Sequence, residues 1–258
     1  MNVLAPAVPL HLPSSPFWAR IAANHARVNG EERSSTWHRK ESGKHQILVE
    51  RLVVGPLQVN CYLVAHPETR EAIIVDPGDD PERIAARVRA LELTPLRIVN
   101  THCHFDHVLG VHALKEEFNI PFWIPRGEES LVQMAPQVAM EWLGVAPGPA
   151  PEVDGLIAEG QNIAPPGLEL VVREAPGHSP NGCVFIGEGV CFSGDVVFAG
   201  SIGRYDLPGA DFNTLMRSIR RVFLPLPDEI VIYPGHGPPT TMGQERRWNP
   251  FIQALLGA

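Results

Sequence analysis

Lysine is nearly absent from this chain. Three stand among 258 residues, and beyond Lys44 only Lys115 remains. Positive charge as a whole is in deficit, with a formal net charge of -8. Phosphate binding needs a basic footprint, so nucleic acid is excluded as the main partner. No apolar run approaches the roughly 18 residues that span a bilayer, which predicts a soluble protein without membrane association. The four cysteines form no C-x-x-C pair, and Cys61, Cys183 and Cys191 lie inside apolar, strand-like runs. Buried free thiols in a reducing cytosol are therefore expected, and a cytoplasmic location with them, rather than a disulfide framework.

What is present divides unevenly. Residues 1–46 carry six Lys/Arg and three Asp/Glu, while the rest carries fifteen and twenty-six. Residues 1–45 are rich in Pro, Ser, Arg and Asn without a lasting period, and read as a disordered or weakly docked extension. A single domain is expected over 46–258, its 44% apolar composition being enough for a core. Ile47 to Val54 and Gln58 to Ala65 alternate like paired strands about a Gly55-Pro56 turn. Glu71 to Val75, Leu96 to Asn100, Leu168 to Val172, Cys183 to Ile186, Val190 to Phe192 and Glu229 to Tyr233 read as further strands. Helices are predicted from an Asp80 cap to Leu91, over Val108–Glu117, Arg126–Leu143 and Asp211–Phe223, and from Gly243 onward. Strands grouped towards both ends, with helices between and after, suggest two packed sheets flanked by helices.

The chemistry concentrates in Thr101-His102-Cys103-His104-Phe105-Asp106-His107. Imidazole and carboxylate are ligands that suit zinc, iron and manganese. If the chain stays extended out of the preceding strand, His102 and His104 face one way and Cys103 the other, towards inert burial. Four ligands exceed what one catalytic zinc uses, so the segment can offer two to one ion and two to a neighbour. Other ligands must then come from elsewhere. His178 in Pro176-Gly177-His178, Asp195 in Ser193-Gly194-Asp195 and His236 in Pro234-Gly235-His236-Gly237 each follow an apolar strand. Asp76, closing the third strand, reads as a carboxylate that braces the site without being a ligand. His66 reads as a turn residue and His112 as a helix-surface or packed one.

The order T-H-x-H-x-D-H, P-G-H, G-D and P-G-H-G resembles the metallo-β-lactamase fold superfamily, over about residues 47 to 256. The resemblance implies an α+β fold, a four-layer αββα sandwich with a two-metal site at one edge. His102, His104 and His178 would hold the first ion, Asp106, His107 and His236 the second, and Asp195 would bridge them. The ions would be divalent, zinc first with iron or manganese as alternatives, and Asp106 would also orient a metal-bound hydroxide. Gly200-Ser201-Ile202-Gly203-Arg204-Tyr205-Asp206 is similar to a stretch in glyoxalase-II-like hydrolases and persulfide dioxygenases. Met242-Gly243-Gln244-Glu245 with Asn249-Pro250-Phe251 is similar to the closing segment of single-domain glyoxalase-II-like enzymes. The implied activity is hydrolysis of a thioester of the S-lactoylglutathione kind or a related acyl ester, with Arg204, Tyr205 and Asp206 near the substrate. With lysine so scarce, a clamp for the glutathione carboxylates would have to use arginine. An iron-dependent persulfide dioxygenase and a non-catalytic metal-binding domain are the alternatives. Two departures concern pocket shape: Asn181 replaces the second glycine of P-G-H-[ST]-P-G, and Glu174-Ala175 replaces a His-Thr pair.

Overall fold

The computed structural model describes residues 47–144 and 146–257, so the extension expected over 1–45 lies outside the described residues. Six strands form the first sheet in chain order: β1 (Leu48–Val54), β2 (Val59–Ala65), β3 (Glu71–Val75), β4 (Thr94–Val99), β5 (Phe122–Pro125) and β6 (Gly155–Ile157). The first three run antiparallel and the last four, from β3 on, parallel. Four helices connect them: α1 (Pro81–Ala90), α2 (Phe105–Val108), α3 (Val111–Phe118) and α4 (Glu129–Leu143). The second sheet begins with β7 (Val171–Glu174), β8 (Cys183–Gly187) and β9 (Val190–Gly194). A separate hairpin, β10 (Val197–Phe198) and β11 (Ser201–Ile202), precedes α5 (Phe212–Val222). Strands β12 (Val231–Pro234) and β13 (Thr240–Thr241) complete the sheet in the order β13-β12-β9-β8-β7, and α6 (Met242–Trp248) and α7 (Pro250–Leu256) follow. Among the described residues no helix is long and apolar enough to cross a membrane.

The layering follows from side-chain alternation along the strands. In β2, Cys61, Leu63 and Ala65 pack against Ile84 and Val88 of α1, Leu114 of α3 and Val132 of α4. The intervening Tyr62 and Val64 join Ile73, Val75, Phe185, Phe192 and Tyr233 between the sheets. In β8 and β9, Val184 and Cys191 turn outward to meet Leu215, Ile219 and Ile252 of α5 and α7. Three cores separated by two sheets make four layers, αββα. Continuous burial of all seven β2 residues, Val59 to Ala65, is the sign of a strand covered on both faces. The cysteines fit this arrangement, all four being buried free thiols.

Strand directions then choose the functional edge. β9 pairs parallel with β12, and β7 and β9 both run antiparallel to β8. The C-terminal ends of β7, β9 and β12 therefore emerge on one edge, and His178, Asp195 and His236 follow those ends. Thr101, just past β4, meets that edge where its carbonyl accepts from Cys183 N at 2.8 Å.

Several local expectations change. Asp80 occupies the N-cap position of α1 but in a left-handed conformation, without a side-chain cap. Its carboxylate instead accepts from Gly55 N at 3.1 Å, tying the helix start to the β1–β2 turn. The helix predicted over Val108–Glu117 is divided into α2 and α3 around Leu109-Gly110, and the helix predicted from Arg126 starts at Glu129. The strand read as Leu168–Val172 forms at Val171–Glu174, since Asn162 takes up the Leu168 carbonyl and the Leu170 amide. The closing helix breaks at Asn249-Pro250, where proline cannot continue the ladder and Asn249 caps the new start.

The Phe192 ring lies 5.3 Å from both Tyr62 and Tyr233 and is fully buried between the sheets. Phe192→Ala should lower unfolding free energy by about 3–5 kcal/mol. Urea unfolding followed by near-UV circular dichroism measures this; a loss under about 1 kcal/mol would mean the inter-sheet core is not the main support.

Candidate metal centre

Five histidines and two aspartates converge at the sheet edge. His102 and His104 follow β4 with ring centroids 4.8 Å apart, His104 in extended backbone, while Cys103 turns into the outer core. Asp106 and His107 sit in the single-turn helix α2 that follows. The donor atoms of His102, His104 and His178 all lie within 4.8 Å of one another, and so do those of Asp106, His107 and His236. Asp195 stands between the two groups. One of its carboxylate oxygens, Oδ2, lies 3.5 Å from His178 Nε2 and 3.6 Å from His236 Nε2, and the other, Oδ1, 3.6 Å from His107 Nε2. A further arrangement, Asp76 with His102 and His107, satisfies the same spacing.

Hydrogen bonding decides which ring nitrogens are open. Asp76 Oδ1 accepts from Thr101 N at 2.7 Å, and Asp76 Oδ2 accepts from Thr101 Oγ1 at 2.7 Å. A hydroxyl has one proton, so Thr101 Oγ1 can only accept from His102 Nδ1, 3.1 Å away. His102 therefore keeps its proton on Nδ1 and turns the Nε2 lone pair inward. His178 Nδ1 donates to Arg204 O at 2.8 Å and His236 Nδ1 to Leu57 O at 3.1 Å, with the same result. His107 Nδ1 faces Asp76 Oδ2 at 3.3 Å. Three histidines thus anchor Nδ1 outward by a hydrogen bond and His107 turns its Nδ1 towards Asp76, so that all four present Nε2; His104 presents Nδ1, 2.9 Å from His178 Nε2. Asp76 braces two of these rings with both oxygens already engaged.

Such a set fits a cation. His102 Nε2, both ring nitrogens of His107 and Asp195 Oδ1 are buried without a hydrogen-bond partner. Buried polar atoms are rarely left so, and a ligated ion is one of the few explanations for several in one place. The titration behaviour agrees. Burial and the neighbouring imidazoles push His102 well below the ordinary histidine value and His104 down to about 3. Burial likewise lowers His178, outweighing Asp195. His107 moves the opposite way: burial opposes its charge, but Asp195, Asp106 and Asp76 together raise it to about 9. Asp195 and Asp106 raise His236 against burial in the same manner. Burial alone would raise Asp106, yet His107, His236 and His104 hold it below the usual carboxylate range. The raised pair, His107 and His236, favours a proton where a divalent ion would otherwise sit, while His102, His104 and His178 stay neutral and open to a cation.

Residues around the ligands complete the construction, among them Asn60 and Tyr62, which the sequence did not single out. Asn60 Nδ2 donates to Pro234 O and Gly237 O, both at 2.8 Å, and Tyr62 Oη donates to Pro234 O at 2.6 Å. These two residues on β2 hold the loop carrying His236. A polar Asn inside the apolar run Val59-Asn60-Cys61-Tyr62 was the available signal. Gly235 admits no side chain, since a Cβ would lie 2.1 Å from Asp195 Oδ1 and 2.8 Å from His107 Cε1. At Gly203 a Cβ would fall 1.7 Å from Asp195 O. The closing segment acts from behind: Glu245 Oε2 accepts from Gly200 N at 2.9 Å, and Asn249 Nδ2 donates to Ser201 O at 2.8 Å. It thereby fixes the hairpin leading to Arg204.

The remaining candidates fall as follows. Arg204 makes a two-pronged pair with Asp206 at 2.8 and 2.9 Å. The pair stands at the surface, the Asp206 side chain being 56% exposed. Tyr205 is exposed and packs edge-on against Phe212 at 4.8 Å. Asn181 Nδ2 donates to Gly127 O at 3.1 Å. His112 pairs with Glu116 on the surface of α3, and His66 Nδ1 accepts from Glu68 N and Thr69 N in a turn. Lys115 is taken up by Asp154 at 2.6 Å and by the Glu152 carbonyl.

Comparison with known proteins places this geometry. Residues 54–236 match the sequence family described as the metallo-beta-lactamase superfamily. A relative from Haemophilus influenzae, named hydroxyacylglutathione hydrolase GloC, is 36% identical over 215 residues, covering 80% of this chain and 98% of its own. The crystal structure of BLEG-1 B3 metallo-beta-lactamase superposes with a TM-score of 0.74 at 36% identity, covering 80% of this chain and 99% of that one. TTHA1623, solved in a di-iron-bound form, gives a TM-score of 0.71 at 41% identity, with coverage of 78% and 98%.

The titration directions predict a stability profile for the metal-free protein. As pH falls from the ordinary histidine value of 6.5 towards 3, the unfolded chain takes up a proton that native His104 refuses, so stability drops. As pH rises from 6.5 through about 9, native His107 retains a proton that the unfolded chain has released, and its contribution is lost. The thermal unfolding midpoint of chelator-treated protein should be highest near pH 6.5 and fall on both sides. A midpoint that climbs steadily from pH 6.5 to 9 would contradict the arrangement.

Proposed function

The chain belongs to the metallo-β-lactamase superfamily, and from that premise we propose that it is a binuclear metallo-hydrolase cleaving a thioester of the hydroxyacylglutathione type or a related acyl ester. The observation that carries this reading is the convergence of four histidine Nε2 lone pairs, His104 Nδ1 and two aspartates, with three of the inward atoms buried and unpartnered. His102, His104 and His178 would hold one ion, Asp106, His107 and His236 the other, with Asp195 shared. Divalent ions held there supply Lewis-acid polarisation of an acyl carbonyl and an acidified water at neutral pH. The orphaned Nε2 of His107 favours two ions over one, because a single ion on the first three histidines leaves it unpaired. Zinc fits these ligands; iron fits them too, and the di-iron form of TTHA1623 supports it as the rival metal.

The chain's own groups supply orientation and proton handling. Asp106 Oδ2 lies 3.3 Å from His236 Nε2, and its low proton affinity keeps it an acceptor able to orient an attacking water. Asp76 and Thr101 hold the rings of His102 and His107 so that no reorganisation is needed when charge develops. Support for a glutathione-like carrier comes from the Haemophilus influenzae relative. Among the described residues the one lysine, Lys115, is paired with Asp154, so there the anionic end of such a carrier would meet arginine; Arg204, itself paired with Asp206 and with Tyr205 beside it, is the candidate.

Turnover of S-lactoylglutathione by metal-loaded protein, with nitrocefin and a simple aryl ester alongside, tests the substrate class. His107→Ala should bind one metal equivalent fewer and lose about 100-fold or more in kcat. Unchanged metal stoichiometry would overturn the two-ion assignment, and sulfide-dependent oxygen uptake without thioester cleavage would transfer the protein to the oxidative reading.

A further inference from the structure

Glu128 is wholly buried at the start of α4, and neither the metal ligands nor the proposed chemistry uses it. Buried carboxylates are uncommon without a cationic partner. No arginine, lysine or histidine is paired with this one among the described ion pairs. Its two oxygens divide between two loops. Oε2 accepts from Cys103 N at 3.0 Å, the amide between His102 and His104. Oε1 accepts from Asn181 N at 2.8 Å, three residues beyond His178. The first loop leaves β4 of one sheet and the second joins β7 to β8 of the other. No other side chain among the described hydrogen bonds accepts a backbone amide from each of these two loops.

We propose that Glu128 is a positioning residue that sets the distance between the two loops, and through them the spacing of His102, His104 and His178. On the two-ion reading, it governs the first ion and not the second. The second group is assembled by other means: Asp106 and His107 lie in α2, and the His236 loop is held by Asn60 and Tyr62. The chemistry of the strut is specific. Both oxygens face N–H donors, so an amide in its place must turn its NH2 towards one of them. Gln is therefore nearly as disruptive as Ala, despite equal length and volume. Asn181 contributes through its backbone amide, so its side chain is dispensable for this purpose.

Metal titration of the full chain in two backgrounds reads the effect directly, with Zn2+ as the probe and folding checked by circular dichroism. In His236→Ala protein, which leaves the first group as the intact one, Glu128→Gln should weaken binding about 10- to 100-fold, the range for residues that orient ligands. In His178→Ala protein the same change should alter affinity by less than about threefold, and Asn181→Ala should stay within that limit in both backgrounds. Should Glu128→Gln fail to fold, Glu128→Asp, which keeps both acceptors on a shorter arm, provides the same comparison. Equal weakening in the two backgrounds, or none in the first, overturns the proposal. A wild-type chain that binds fewer than two ions removes the two-ion reading itself, a result seen before any Glu128 variant is made.

Discussion

Several lone pairs aimed at one another across a buried space repel, and everything else at this edge of the sandwich holds them in that arrangement. His102, His107, His178 and His236 each direct Nδ1 to an outward acceptor, namely Thr101, Asp76, the Arg204 carbonyl and the Leu57 carbonyl. The inward nitrogens meet Asp195 and Asp106 and little else. Without a cation, the carboxylates around His107 overcome burial and hold a proton there, raising it to about 9, while burial and the neighbouring His178 keep His104 neutral, down to about 3. Identical side chains a few ångströms apart thus acquire opposite proton affinities: burial lowers both, and only at His107 do the surrounding carboxylates outweigh it.

The fold imposes this convergence by bringing strand ends from two sheets to one edge. β4 delivers the histidine segment, while β7, β9 and β12 deliver His178, Asp195 and His236. Closing the gap needs backbone where side chains would collide, which explains Gly203 and Gly235 against Asp195. It also needs ties between sheets. Asn60, Tyr62 and Thr101 provide them as hydrogen bonds whose partners are far apart in sequence, and Glu128 adds one of the same kind. The strained left-handed backbone of Asp76, with φ of 49°, marks where the chain is bent to reach Thr101 and His107 together.

Much of this was legible in the sequence because ligand residues cluster locally and strand burial leaves a period. The H-x-H-x-D-H segment and the three strand-end residues announce themselves by residue type, and the metallo-β-lactamase fold follows from their order. The alternation that puts Cys61 outward and Tyr62 inward is a two-residue period that any buried strand carries. What escaped is long-range. Nothing near Glu128 tells that its oxygens will meet amides at 103 and 181, and Asn60 gains meaning only once β12 lies beside β2. Short strands such as β5, β10 and β13 were missed, since two to four residues carry too little pattern. Asp80 misled for a related reason: its cap position was right, but its carboxylate was claimed by Gly55, twenty-five residues away.

The central claim is that this edge is built for two cations, with protons standing in for the second, and calorimetric titration of chelator-treated protein at pH 7 tests it most directly. Zn2+ should bind to two equivalents, and comparison of buffers with different ionisation enthalpies should reveal net proton release as His107 and His236 give up their protons. Saturation at one equivalent, or binding of two ions with no proton released, would contradict the account.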